Sequence, residues 1–152
     1  MSDIIFQASD LANKRTEILE RARQGLAQIR DKDSTSLVML PERRLRMLEE
    51  IAKWSLAHMR LDDLLRRDAA PSISDLGDLA WLRVFEADDL REFVDELHAV
   101  LIAAHSDQDP SALDEFIRSW RITARQLEDP LRRSVLLGRH DPNDFVEAPM
   151  PQ

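Results

Sequence analysis

Four histidines, His58, His98, His105 and His140, are the first residues in this 152-residue chain with the types needed for metal or proton chemistry. His98 and His105 are seven apart and share one side of a helix, and Asp95 stands three residues before His98. A carboxylate–His pair at that spacing binds metal when a second helix supplies its equivalent. The other long helical stretch, residues 111–127, has no histidine, so the three or four ligands of a metal site do not converge. The chain has no cysteine, which removes disulfides and thiolate sites. Ser55, Ser74, Ser111, Ser119 and Ser134 are scattered, and none stands in a strand-to-helix elbow. The adjacent carboxylates Asp62-Asp63, Asp88-Asp89 and Asp114-Glu115 diverge by about 100° on a helix and face solvent, so no raised pKa follows. The three glycines, Gly25, Gly77 and Gly138, are too far apart for a phosphate-cradling loop. The expectation is therefore a protein with no catalytic residues, no metal and no cofactor.

The basic residues of the first half carry a different chemistry. Lys14, Arg15, Arg21 and Arg23 fall on the first helical stretch, with Lys14 and Arg21 seven apart on the side away from its apolar residues. Arg15 falls near Leu11 and Ile18, so its stem can snorkel from a packing face. Arg30 and Lys32 flank a polar turn, and Arg43, Arg44 and Arg46 open the next helix. Such groups, near helix N-termini, suit phosphate. The whole chain carries a net charge of −8, unevenly placed. Residues 1–60 hold 11 Lys+Arg against 9 Asp+Glu, whereas residues 61–152 hold 10 against 20. That split points to a polyanion for one half and a basic partner for the other.

Local patterns place these residues on elements. Asp3–Gln7 reads as a short β-branched strand, followed by Ser9 as N-cap of a helix over Leu11–Gln24 that Gly25 ends as its C′ residue. Ala27–Arg30 and Ser36–Leu40, parted by Asp31–Thr35, read as a β-hairpin. From Glu42 to about Arg67 the period is helical, with two apolar stripes. Met47, Ile51, Trp54, His58, Leu61 and Leu65 form one; Leu45, Leu48, Ala52, Leu56 and Met59 form the other. A helix with two stripes needs cover on two sides. Ala69–Asp75 reads as a linker and Leu76–Phe85 as a short apolar helix or turn. Two amphipathic helices follow. The first carries Leu90, Phe93, Val94, Leu97, Leu101 and Ala104, and the second Leu113, Phe116, Ile117, Trp120, Ala124 and Leu127. The break at Ser106–Pro110 makes them a helical hairpin. A last short helix is expected over Pro130–Leu137 and a loose, proline-bearing tail over 138–152.

The segment Ser9-Asp-Leu-Ala-Asn-Lys-Arg-Thr-Glu-Ile-Leu-Glu-Arg-Ala-Arg-Gln-Gly25, with Ile29-Arg-Asp-Lys-Asp and Leu37-Val-Met-Leu-Pro41, resembles the Phd/YefM (prevent-host-death) antitoxins. The likeness covers residues 3–60: a capped helix ending at Gly, a short hairpin with basic turn residues, and an apolar second strand. It departs from the family pattern at Ala12, often Arg in the family, at Arg15, often apolar, and near Ser34, where the turn usually carries Gly. Trp81–Phe85 through Leu97, and Ser119–Ala124 before Asp129-Pro130, are similar to the helical extension on actinobacterial members.

The resemblance implies a type II toxin–antitoxin antitoxin. Its N-terminal module would dimerise by joining sheets and repress its own operon by binding operator DNA. Its C-terminal part would neutralise a cognate toxin, basic and ribonuclease-like or Fic-like. The expected class is α+β: a β-α-β-β-α module over 1–68 that dimerises through its sheet, a linker over 69–75, and an all-helical toxin-binding module over 76–137. DNA contacts are assigned to Lys14, Arg15, Arg21, Arg30, Lys32 and Arg43, and toxin contacts to Trp81, Phe85, Phe93 and Trp120. Neither signal peptide nor membrane span is expected, which implies a cytoplasmic protein. The rival reading is a dimeric protein-interaction adaptor that does not bind DNA.

Overall fold

The computed structural model describes residues 4–67 and 69–138. It is a mixed α+β chain, mostly helical, with one three-stranded sheet. Two compact units divide at Glu50/Ile51, inside a helix that runs unbroken from Glu42 to Leu65.

In the first unit, strand β1 (Ile5–Gln7) pairs parallel with β2 (Ala27–Arg30), and β2 pairs antiparallel with β3 (Ser36–Met39). Alternation along the strands turns Phe6, Ala27 and Ile29 to one face, where Ile18 and Ala22 bury against them and Met39 packs at the margin. Gln28, Arg30, Ser36 and Val38 fall on the other face, because the register pairs Gln28 with Val38 and Arg30 with Ser36.

The helix expected over Leu11–Gln24 is two helices, α1 (Asp10–Asn13) and α2 (Arg15–Arg23), broken at Lys14 (φ −121°, ψ 30°). The physical reason is burial. Nothing in α1 is buried, whereas Ile18 and Ala22 anchor α2 to the sheet, so tertiary packing holds only the second helix to its axis. Ser9 is not the side-chain cap; instead the Gln7 amide donates to Asp10 Oδ2 at 2.8 Å. After α2 the chain turns at Gly25 with φ +151°, where an added Cβ would lie 3.0 Å from Arg44 Nη1.

Helix α3 (Glu42–Leu65) buries Met47, Trp54 and Leu61 from its first stripe. Its second stripe is open: Leu45, Leu48, Leu56 and Met59 are all exposed. The expectation of cover on two sides thus fails for a single chain, which covers only one.

In the second unit the segment expected as linker holds a short helix, α4 (Ile73–Leu76). Ser72 and Asp75 cap it reciprocally: the Asp75 amide donates to Ser72 Oγ, and the Ser72 amide donates to Asp75 Oδ2. The apolar stretch that follows is a 3-10 helix over Gly77–Val84. Helices α5 (Ala87–Asp107) and α6 (Ser111–Glu128) then pack along their matched apolar sides, and α7 (Pro130–Leu136) closes the described chain. Gln108, left-handed at φ 54°, ends α5 and starts the reversal. Phe93 is the centre of an aromatic cluster. Trp81 and Trp120 meet it edge-on, and Phe116 stacks on it with centroids 5.3 Å apart. No described helix is long and apolar enough to cross a membrane. The tail over 139–152 and His140 lie outside the described residues, as does the start of the expected first strand at Asp3.

Candidate nucleic-acid interface

Strand direction decides which cations meet. β1 and β2 run parallel, so both end on the same side of the sheet, and the Ala8 amide donates to the Arg30 carbonyl at 2.9 Å. The chain leaving β1 forms α1 and begins α2 at that end, and the hairpin turn leaves β2 there as well. Lys14, Arg15, Arg30 and Lys32 are therefore gathered at one end of the sheet, beside the N-terminus of α2. Open α/β arrangements present backbone amides to anions at such an end, outside the carboxyl ends of parallel strands. Arg15, Arg30 and Lys32 are exposed and have no carboxylate partner among the described residues, while Lys14 lies 3.8 Å from Asp10 Oδ1. Arg15 is the first residue of α2 and is exposed.

The turn that carries Lys32 is internally satisfied. The Ser34 amide donates to the Asp31 carbonyl at 3.0 Å, and Ser34 adopts φ 69°. Asp31 Oδ1 accepts from the Lys32 amide, and Asp33 Oδ1 from the Thr35 amide. Hydrogen bonds from the Thr35 hydroxyl and amide hold the Asp33 carboxyl below the usual carboxylate range. Both acids at the tip thus serve the turn.

Arg21 and Arg43 do not join this group. Arg21 sits in the last turn of α2, at the far end of the sheet. It is half-buried in a groove with Ile4, Phe6, Thr16, Glu17, Glu20 and Gln24, so carboxylates lie close to it. Arg43 follows β3, which runs back from the hairpin, and its neighbour Arg44 lies by Gly25 where β2 begins. A four-residue strand separates the two ends by about 13 Å. The shared face expected for Lys14 and Arg21 is lost for the same reason, since Lys14 stands at the break between α1 and α2.

In the second unit, Phe93 and Phe85 are core residues at 0% and 8% exposure and offer no surface to a partner. Trp81 and Trp120 are half-buried. The Trp120 indole donates to Glu96 Oε2 at 3.2 Å, and the Arg121 guanidinium lies 5.3 Å from the Trp81 ring centroid. His98 pairs not with His105 but with His58 of α3, ring centroids 5.3 Å apart. Local spacing finds partners along one helix and misses this pair, which depends on two helices packing. Among the described residues no group of three or more His, Asp or Glu is placed to hold a metal ion. Comparison with family models, with curated proteins and with solved structures gives no match for this chain.

Proposed function

We propose that the chain is the antitoxin of a type II toxin–antitoxin system, a cytoplasmic homodimer that binds operator DNA with its first unit and a basic toxin with its second. One observation carries the reading: Lys14, Arg15, Arg30 and Lys32 lie at one end of a small sheet, next to a helix N-terminus. Cations so placed meet successive phosphates, which position a protein on a duplex without reading bases. Ser34, near the place where the turn of the resembled family usually carries Gly, has φ 69°, a conformation that favours Gly, and this supports the likeness. Joining of two copies through the sheet is supported by exposed Ile5, Leu37 and Val38 on its strands.

The acidic second unit suits a basic, ribonuclease-like or Fic-like toxin. Residues 51–152 carry 12 Lys+Arg against 20 Asp+Glu, and Glu92 and Asp95 of α5 are exposed without an ion pair among the described residues. The rival adaptor reading has its own support: residues 1–50 hold 9 Lys+Arg and 9 Asp+Glu, so the first unit is neutral overall. The test is co-expression with the adjacent open reading frame, then gel shift of the purified protein on the DNA upstream of its own gene. A retarded duplex together with a co-purifying small basic protein is the expected result. A co-purifying protein with no retarded duplex at low salt establishes the adaptor.

A further inference from the structure

The second unit contains a groove of about 360 Å³ between the 3-10 helix and α6, lined by Asp78, Trp81, Arg121, Ala124, Arg125 and Glu128. Its charges are not balanced within it. Asp78 is engaged by Arg60 (Nη1–Oδ1 3.3 Å) and Glu128 by Arg83 (Nη2–Oε1 2.6 Å), neither of which lines the groove. Arg121 and Arg125 have no carboxylate partner among the described residues. The two acids are thus neutralised from outside, and the groove is left with two free guanidinium groups.

The arrangement of those groups narrows the ligand. Arg121 rests on the Trp81 ring, centroid distance 5.3 Å, and that indole is fixed edge-on to the buried Phe93. A guanidinium is planar, so a ring covering one face leaves the other able to take a second ring. Arg125 follows Arg121 by four residues, one turn along the same side of α6. A guanidinium there can hold a carboxylate by two parallel N–H···O bonds. Ala124, itself buried in the core, also lines the groove. The volume lies at the lower end of the range for small-molecule sites.

We infer that this groove binds a small aromatic carboxylate, its ring on the outer face of Arg121 and its carboxylate on Arg125. The groove shares Trp81 with the residues assigned to toxin contact, and its argument stands whether or not the antitoxin reading holds. The shared chemistry, a ring beside a carboxylate, has two sources: a free aromatic acid, or the C-terminus of a peptide ending in Phe.

The experiment is a titration of the full chain with benzoate, followed through the Trp81 indole N–H resonance by NMR, with acetate and benzyl alcohol as controls. Expected is a saturable shift with benzoate that is at least about tenfold weaker with either control, since each lacks one of the two contacts. Arg125→Ala is expected to weaken benzoate by about tenfold or more, and Arg125→Lys to restore part of it. Arg118→Ala, elsewhere on α6, is expected to change nothing. A tetrapeptide ending in Phe that binds tighter than benzoate assigns the source as a protein C-terminus; weaker binding assigns a free acid. No saturable shift with benzoate, equal shifts with acetate, or an Arg125→Ala chain that binds as the parent does would each overturn the proposal. An unchanged far-UV spectrum for Arg125→Ala separates loss of the site from loss of the fold.

Discussion

The two units differ most in how far each covers its own apolar residues. The second buries fifteen apolar side chains in one cluster with Phe93 at its centre, and two reciprocally capped helix starts, Ser72–Asp75 and Glu86–Asp89, fix the chain around it. Among the described residues the first buries five in its cluster, with Met47 buried apart from them, and leaves Ile5, Leu11, Leu19, Leu26, Leu37 and Val38 exposed. A unit of about 50 residues buries too small a fraction of its surface to be more than marginally stable. Among the described residues the helical unit buries more apolar side chains than it leaves exposed, and the sheet unit leaves more large ones exposed than it buries. Cations at the sheet's end cost that unit nothing in packing, because they lie outside its core.

The largest expected effect breaks the helical side. Phe93→Ala should lower stability by about 3–5 kcal/mol in urea or thermal unfolding, because it empties the centre of the aromatic cluster. Ile18→Val in the small core should cost about 0.5–1.5 kcal/mol, read in the same way. If a second copy covers the first unit, the unfolding midpoint of parent and variant alike should rise with protein concentration, since association stabilises the folded form.

Smaller effects sharpen the contrast. Ser34→Gly should stabilise the chain by about 0.5–1 kcal/mol, because a left-handed backbone burdens any residue with a Cβ. DNA binding should be unaltered by that change. The smallest effect is on pH dependence. Hydrogen bonds from the Ser72 amide and hydroxyl hold the Asp75 carboxyl below the usual carboxylate range, as those from Thr35 hold Asp33. A carboxylate whose folded pKa is lowered contributes stability that is present above its unfolded pKa and is lost as pH falls through the folded one. Acid titration of unfolding should therefore show stability falling below about pH 3.8, with a shallower fall in Asp75→Asn and Asp33→Asn.

Much of the fold was legible because local pattern and tertiary burial agree. The hairpin strands end within a residue of where β-branched runs and turn residues place them, with β3 stopping at Met39 in place of Leu40. The apolar period of α5 and α6 picked out Leu90, Phe93, Val94, Leu97, Leu113, Ile117 and Ala124, all buried. What escaped depends on pairing across the chain. Lys14 breaks a helix whose period runs through it, since only Ile18 and Ala22 find a sheet to bury against. Phe93 looked like a surface anchor because a helical stripe does not show which of its members another helix will enclose. The basic residues were visible one by one, but their sorting into two ends follows from β1 running parallel to β2, which no local spacing encodes.

The decisive measurement is the salt dependence of binding to the duplex upstream of the gene, compared between two variants: Arg15→Ala/Arg30→Ala/Lys32→Ala at the hairpin end, and Arg43→Ala/Arg44→Ala at the far end. Phosphate contacts release counterions, so log K falls with log salt by about 0.9 for each contact made. The expected result is a slope shallower by nearly one unit for each hairpin-end cation removed, with the far-end variant close to the parent. A parental slope in the hairpin-end variant, or the loss appearing only at the far end, would contradict the assignment of the phosphate-binding surface.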